Sequence, residues 1–259
     1  MRIATWNVNS LKARLPRVEE FLSYADVDVL CIQETKLADK AFPYLTFQGL
    51  GYESVHHGQG QWNGVAILSR VGISDVVHGF GPNFVDPYEG DARLVAARCG
   101  DMTAVSVYVP NGRTVPSDHY DRKLVWFERL REWLDHHYSP EQRLAVLGDF
   151  NVAPEDRDVW SPKAFEGSTH VTAAERKAVQ ALCDWGMIDT FRDFYPNESG
   201  LYSYWDYRAG DFHQHRGIRI DLVLATQSIS STVTHAVVDR NARKGTLPSD
   251  HAPVIIDFA

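Results

Sequence analysis

Pro248-Ser249-Asp250-His251, set just before the apolar run Val254-Ile255-Ile256, offers a carboxylate and an imidazole where a strand is about to begin. Four other segments place similar groups beside apolar runs: Trp6-Asn7-Val8-Asn9, Gln33-Glu34-Thr35-Lys36, Gly148-Asp149-Phe150-Asn151 and Arg219-Ile220-Asp221. Hard oxygen donors of this kind suit Mg²⁺, which prefers carboxylates and water to thiolates or clustered imidazoles. Taken singly, an Asp or Asn just after a strand is more often a turn former than a ligand. Five such segments are hard to explain as turns alone. Together they read as one divalent-metal site that draws on Glu34, Asp149, Asp221 and Asp250, with Asn7 and Asn151 as neutral partners.

Context separates two copies of the letters Ser-Asp-His. Ser117-Asp118-His119 opens an amphipathic stretch, where Asp118 fits a cap or helix-dipole role. The second copy follows Gly245 to Pro248 and precedes a strand, so His251 is the better candidate for an active-site imidazole. Asp221 is its candidate carboxylate partner, in the manner of an oriented histidine. Tyr108-Val109-Pro110-Asn111-Gly112 ends a strand in a tight turn, and Tyr108 and Asn111 are expected to face the same pocket as Glu34.

The elements that must carry these groups follow from patterning. Ile3 to Val8 predicts a strand; Ser10 then caps a helix with Leu11, Leu15, Val18 and Leu22 at helical spacing, and Val27 to Ile32 is a second strand. Phe47 to Val55, Gly64 to Ser69, Leu94 to Cys99 and Thr103 to Val109 read as further strands between turn residues. Ser117 or Asp118 opens the clearest helix, with Tyr120, Leu124, Phe127, Leu130 and Leu134 on one face. Leu144 to Leu147 is a short buried strand, Pro154 to His170 a polar region, Ala173 to Trp185 a helix, and Phe191 to Tyr207 an aromatic-rich loop. Strands at Ile218 to Leu224, Ala236 to Asp239 and Val254 to Phe258 close the chain. The mixture has no composition break, which predicts one α/β domain over residues 1–259.

At 259 residues the chain can bury a large core. No stretch approaches the ~20 apolar residues of a spanning helix, and the start already resembles a strand, so the expected location is cytoplasmic, with no membrane partner. Cys31, Cys99 and Cys183 are widely separated and odd in number, which favours reduced thiols over bridges or zinc ligation. A net charge of −8 argues against a uniformly basic nucleic-acid-coating protein but leaves room for a basic face around an acidic pocket.

The chain resembles the exonuclease III family of abasic-site endonucleases, within the wider endonuclease, exonuclease and phosphatase superfamily. The resemblance rests on Trp6 to Ser10, Ile32 to Lys36, Asn63-Gly64-Val65-Ala66-Ile67, Tyr108 to Gly112, Gly148 to Asn151, Trp205-Asp206-Tyr207-Arg208, Arg219 to Asp221 and Pro248 to His251, in the family's order across nearly the whole chain. It implies a four-layer α/β sandwich of two mixed β-sheets flanked by helices, DNase I-like, with the site at one end. It implies Mg²⁺ as cofactor, with Mn²⁺ as a substitute, and Glu34 as main ligand in a shell that includes Asn7, Asp149, Asn151, Asp250 and His251. Asp149 would orient or deprotonate the attacking water. Asn151 and Tyr108 would hold the scissile phosphate or its developing charge, and His251, paired with Asp221, would contact a phosphate oxygen. Phosphodiester hydrolysis needs an in-line water and neutralisation of charge on phosphate and leaving oxygen, and no covalent nucleophile.

The catalytic set alone defines only phosphoester hydrolysis, since inositol-phosphate phosphatases and sphingomyelinases share it. The resemblance assigns duplex DNA with abasic sites or 3′ ends through Trp205 to Arg208 and Gly217 to Asp221, where relatives receive a flipped-out sugar. Tyr204, Trp205, Ile218 and Ile220 are candidate pocket walls; Lys36, Arg93, Asn111, Arg113, Arg208 and Lys244 are candidate DNA contacts. In two places the chain departs from some relatives: Ile218 stands where they have a Trp, and His170 lies in a loop where they have a small residue. A ring at His170 would hinder entry of an extruded sugar and favour 3′ end processing. The leading expectation is thus a monomeric Mg²⁺-dependent repair nuclease. The alternatives are a phosphoesterase acting on an inositol phosphate or phospholipid, and a catalytically silent nucleic-acid-binding relative.

Overall fold

Strand β1 (Arg2–Asn7) alternates between two buried faces, Ile3 and Thr5 on one and Ala4 and Trp6 on the other, so it lies between two hydrophobic layers. The chain continues through α1 (Leu11–Ala25), β2 (Val29–Gln33), α2 (Tyr44–Gly49), β3 (Glu53–His57), β4 (Val65–Ser69), β5 (Ser74–His78), β6 (Leu94–Cys99) and β7 (Met102–Tyr108). It then runs through α3 (Asp118–His137), β8 (Leu144–Asp149), α4 (Ala173–Trp185), β9 (Met187–Asp189), α5 (Thr190–Phe194), β10 (Asp221–Thr226), α6 (Gln227–Ser230), β11 (Val233–Val238) and β12 (Val254–Phe258). The structure is a computed structural model that describes all 259 residues, Met1–Ala259.

The strands form two six-stranded sheets, in the orders β11-β12-β1-β2-β4-β3 and β5-β6-β7-β8-β10-β9. Each is mixed: β1 and β2 are parallel in one, β7 and β8 in the other, and the remaining pairs are antiparallel. Ile3, Cys31 and Ile67 of the first sheet meet Ala104, Leu147 and Val223 of the second in the central layer. The outer face of the first sheet is covered by Val18, Phe21 and Leu22 of α1, and that of the second by Phe127, Leu130, Val179 and Leu182 of α3 and α4. The resulting order is helix, sheet, sheet, helix, as the resemblance implies.

Within the central layer, polarity rises towards one end. Thr5 Oγ1 donates to Gln33 Oε1 at 3.1 Å and Gln33 Nε2 donates to Ser106 Oγ at 3.1 Å, all three side chains fully buried. One pleat further on come Asn7, Tyr108 and Asp149, with Asp221 opposite Asp149 in register. Strict alternation therefore sends Asn7, Asp149 and Asp221 into the same mouth between the sheets.

Several expected elements shift. Phe47 to Val55 is not one strand: Phe47 closes a short helix, α2, against Phe42, and only Glu53 onward pairs with β4. Ser10 stands at the start of α1 at φ +90°, with no side-chain cap; its N–H donates to Glu34 O at 2.8 Å. Ser117 does cap α3, accepting from the Tyr120 N–H at 3.2 Å. The edge strand β5, exposed and polar, gave no pattern to read, and β10 starts at Asp221, with Ile218 making only isolated bridges to Val159 and Tyr204.

Beneath the β10 entry, the fully buried Arg219 donates from Nε and Nη2 to both Asp158 oxygens at 2.7 and 3.0 Å, and its Nη1 lies 2.8 Å from Asp189 Oδ2. Burial works against the Asp158 carboxylate, yet Arg219 and Arg192 hold it below the ordinary aspartate range. Asp158→Ala leaves a buried guanidinium short of its partner, and unfolding in denaturant should show a loss of about 3–5 kcal/mol.

Candidate active site

The strands end, and the chain turns at once. Glu34 (φ +53°), after β2, and Asn151 (φ +52°), two residues past β8, both adopt the left-handed region. Asn9 N–H donates to Asn7 Oδ1 and Asn151 N–H donates to Asp149 Oδ1, each at 2.9 Å. These are turn-forming bonds of the kind an Asp or Asn makes after any strand. Each consumes one side-chain oxygen only. Asn7 Nδ2 and Asp149 Oδ2 stay free for the site, and they meet at 2.9 Å. The same Nδ2 donates to Glu34 Oε1 at 2.9 Å, so one amide ties the Glu34 and Asp149 carboxylates together.

His251 lies on the other side of Asp149. Its Nδ1 is 2.8 Å from Asp221 Oδ2 and its Nε2 is 3.9 Å from Asp149 Oδ2. Its backbone is pinned: His251 O accepts from Trp6 Nε1 at 3.1 Å, and its N–H donates to Ser249 Oγ, which itself donates to Asn7 O at 2.7 Å. The edge of Tyr204 closes over the imidazole, ring centres 4.8 Å apart.

Burial, the neighbouring charges of Asp221 and Glu34, and the opposing pull of His251 and the Asn7 amide leave Asp149 pushed up to about 7. Burial disfavours an imidazolium at His251, but Asp221, with Asp149 and Asp250 behind it, raises the ring to about 10. A carboxylate poised near neutrality suits proton transfer, and a protonated imidazole suits hydrogen-bond donation. Glu34 is also buried, but Lys36 and Asn7 bring it below the ordinary glutamate range. The Tyr108 phenol is pushed well up, first by burial and then by Glu34 and Asp149, so it stays protonated as a donor.

Two groupings of acceptors fit a divalent cation, and Asp149 belongs to both. Asp149, Asp221 and His251 each present a ligand atom within 4.8 Å of the others, and the buried Asp221 Oδ1 has no hydrogen-bond partner. Glu34 and Asp149, joined through Asn7, present a set of oxygens alone. The second is the better match for a hard ion as it stands, because a histidine ligates only after losing the proton that Asp221 stabilises. Asp250 stands one step out: its Oδ1 accepts from Asn9 Nδ2 at 3.1 Å, and Asn9 Oδ1 accepts from Lys36 Nζ at 2.5 Å. Asn9 is a connecting residue that the sequence placed in a motif without a role.

The expected DNA contacts divide. Arg113, Arg208 and Lys244 have exposed side chains, and Asn111 is exposed with its Nδ2 donating to Asn151 Oδ1 at 3.1 Å. Lys36 is turned inward, its Nζ 2.8 Å from Glu34 Oε2, so its charge serves the carboxylate cluster. Arg93 is bound to Asp91 at 2.8 Å and stacks over Tyr88 and Tyr108, which makes it a brace for the phenol. Trp205 corrects the expectation of a pocket wall: it is fully buried, packed against Phe212 and beneath Gly217, where any Cβ would lie 2.5 Å from its ring nitrogen. Ile218 and Ile220 are buried in a small apolar cluster with Ala153 and Val159, and the half-buried Tyr204 packs against it. His170, at φ +80° and half-buried, brings its Nδ1 to 2.6 Å from Asn151 O. Arg14 was not foreseen: it donates to Asn9 O and to Tyr207 Oη, each at 2.9 Å.

Residues 4–251 match the family model described as the endonuclease/exonuclease/phosphatase family. The exodeoxyribonuclease III of Haemophilus influenzae is 30% identical over 269 aligned positions, covering 100% of both chains. Among solved structures, an AP endonuclease from Archaeoglobus fulgidus superposes with a TM-score of 0.95 at 34% identity, covering 100% of this chain and 99% of that one. A 3′ phosphatase, NExo, from Neisseria bound to a product DNA hairpin gives 0.94 at 36% identity, with the same coverage. The chain belongs to the endonuclease/exonuclease/phosphatase family, a divalent-metal-dependent group, and falls among its exonuclease III-type members. It is a nuclease, a hydrolase concerned with DNA repair.

Asp221 is the strongest of the influences that keep the His251 ring charged, so Asp221→Asn should lower its titration well below about 10, with burial then opposed only by the more distant charges of Asp149 and Asp250. Ring-proton NMR titration of metal-free protein reads this directly. In the unsubstituted protein this pair stabilises the fold fully below about pH 6.5 and loses that contribution as pH rises towards 10. A ring whose titration is the same in both proteins would contradict the assignment.

Proposed function

We propose that this protein is a Mg²⁺-dependent repair nuclease that hydrolyses duplex DNA phosphodiesters 5′ to abasic sites and trims or unblocks 3′ ends, with Mn²⁺ able to replace Mg²⁺. It would act as a monomer, in one domain, in the reducing cytoplasm that its free cysteines suit. The observation that carries the reading is the position of Asp149, whose free oxygen lies between the Asn7-linked Glu34 and the His251–Asp221 pair. A bound divalent ion would neutralise charge on the phosphate and its leaving oxygen.

The protein's own groups account for the remainder. Asp149 Oδ2 accepts the proton of the attacking water. The Nε2–H of His251, the Tyr108 hydroxyl and the Asn151 amide donate to phosphate oxygens as charge develops there. Asn7 fixes the distance between the base that takes the proton and the carboxylate that would hold the ion. Arg113, Arg208 and Lys244 meet backbone phosphates around the mouth, and the Tyr204 side of the Ile218 and Ile220 cluster takes an extruded sugar. The His170 ring is held at Asn151 O, and burial together with Lys123 pushes its imidazole down to about 4, so a neutral ring would crowd an extruded sugar beside Asn151. This favours 3′ end processing over abasic cleavage. The names of the relatives, an exodeoxyribonuclease III, an AP endonuclease and a 3′ phosphatase, support the same range of substrates.

The protein is assayed with an abasic-analogue duplex, a 3′-phosphorylated recessed duplex and an inositol polyphosphate, each with Mg²⁺ and with chelator. Cleavage of the DNAs only with Mg²⁺ is the expected result, whereas phosphate release from the inositol polyphosphate alone would sink the proposal. Asp149→Asn should lower kcat by roughly 10²-fold or more, the range of a lost general base. His170→Gly should raise abasic cleavage relative to 3′ trimming. Binding of duplex to the chelated protein should weaken with salt at a slope of about −3, from three phosphate contacts at about −0.9 each. A slope near zero would remove the basic rim from the model.

A further inference from the structure

Behind Asn111 and Asn151 lies a fully buried ion pair that the chemistry above does not use. Lys123 of α3 places its Nζ 2.5 Å from Glu175 Oε1 of α4, and neither side chain reaches solvent. Such a pair is a poor device for stability, since apolar groups of the same volume usually do as well. Helices α3 and α4 already pack through Phe127, Leu130, Val179 and Leu182. The other partners of the pair explain its presence better.

Lys123 Nζ donates to Asn151 O at 2.7 Å and reaches Asn111 O at 3.3 Å, the backbone carbonyls of the two amide residues at the mouth. Glu175 Oε1 accepts from His170 N–H at 3.0 Å and from Thr169 Oγ1 at 2.7 Å. Glu175 Oε2 accepts from Thr172 N–H at 3.1 Å and from its hydroxyl at 2.8 Å. Three separate loops thus converge on one ammonium–carboxylate pair: the turn after β7, the end of β8 and the segment before α4. Gly112 shows how closely: a Cβ there would meet Thr169 Oγ1 at 3.0 Å and Lys123 Cδ at 3.1 Å, at a φ of +87°. The pair's donors and acceptors are thus committed to these loops and to each other.

We infer that Lys123, held by Glu175, is a positioning residue that sets the Asn151 and Asn111 amides at the height of the reacting phosphate and fixes the His170 loop against them. The inference rests on the proposed role of the Asn151 amide, to which Asn111 Nδ2 donates. An ångström of misplacement at such a group costs on the order of 10²-fold in rate, whereas substrate affinity, set by the rim, should change little.

The test is a double-mutant cycle on the full chain. Lys123→Met/Glu175→Met replaces the ion pair with apolar groups of similar volume. It leaves the Thr169, His170 and Thr172 donors without their carboxylate, so its melting temperature should fall; at a temperature where both proteins are folded, kcat on the 3′-phosphorylated duplex should be lower by roughly 10- to 100-fold, with KM nearly unchanged. In an Asn151→Ala background the same pair of changes should cost much less, because the amide it positions is gone. Equal losses in both backgrounds, or unchanged kcat, would overturn the inference. Failure of the unsubstituted protein to cut DNA tells against the proposed function instead. In that event the side-chain amide signals of Asn111 and Asn151 decide: they should shift in the double variant while that of Asn197 does not, and unshifted signals overturn the positioning role. If the double variant fails to fold, Lys123→Met/Glu175→Gln, which keeps an acceptor for Thr169 and His170, replaces it under the same criteria.

Discussion

Pleat parity at one end of the gap between the two sheets is the constraint on which everything else in this molecule depends. Strands β1 and β2 are parallel, as are β7 and β8, and β10 pairs antiparallel with β8 so that Asp221 faces Asp149. Side chains two apart share a face, so Ile3, Thr5 and Asn7 follow one line, and Ala145, Leu147 and Asp149 another. A single-residue slip in any of these strands would turn its functional group into a helix-covered layer. The sheets therefore fix Asn7, Tyr108, Asp149 and Asp221, and the turns around them add Glu34, Asn151 and His251.

Rigid support for the loops comes from charge. Asp158, Arg219 and Asp189 secure the entry to β10, and Lys123 with Glu175 secures the loops bearing Asn111, Asn151 and His170. Both are buried networks, and both sit behind the site. Groups that are to donate to a phosphate have to keep donor capacity free for it, so little of their orientation can come from bonds among themselves. Their orientation has to be supplied from behind, by partners that never meet the substrate.

Much of this was legible in the sequence, for identifiable reasons. The strands carrying Asn7 and Asp149 are short apolar runs ending in those residues, Asp221 opens a third such run, and the pairing of His251 with Asp221 was anticipated from the two motifs. The fold class followed from the family resemblance more than from periodicity. What escaped reading was what tertiary contact decides. Phe47 enters a helix because Phe42 packs on it, and β5 is an exposed edge with no apolar alternation. Trp205 belongs to a motif yet is buried, and Lys36 turns inward to Glu34, because local sequence does not say which side of a loop faces water. Lys123 drew no reading from the sequence, because nothing local marks it out on its helix; only the fold shows what surrounds it.

The buried chain Thr5–Gln33–Ser106 has a consequence for how the molecule reaches this arrangement at all. It lies between an apolar layer, which would tolerate many pairings of its branched side chains, and a charged mouth that repels itself until its partners are in place. Gln33, held by Thr5 within its own sheet, reaches across to Ser106 of the other, and that bond acts as a key between the two sheets. A misaligned docking leaves the Gln33 amide nitrogen without Ser106 in a dry interior, at a cost of about 1–3 kcal/mol for the unsatisfied group. The carboxylates are thus brought together by a neighbour that takes no part in their chemistry, and proofreading of the sheet-to-sheet alignment occurs one layer beneath the site it serves.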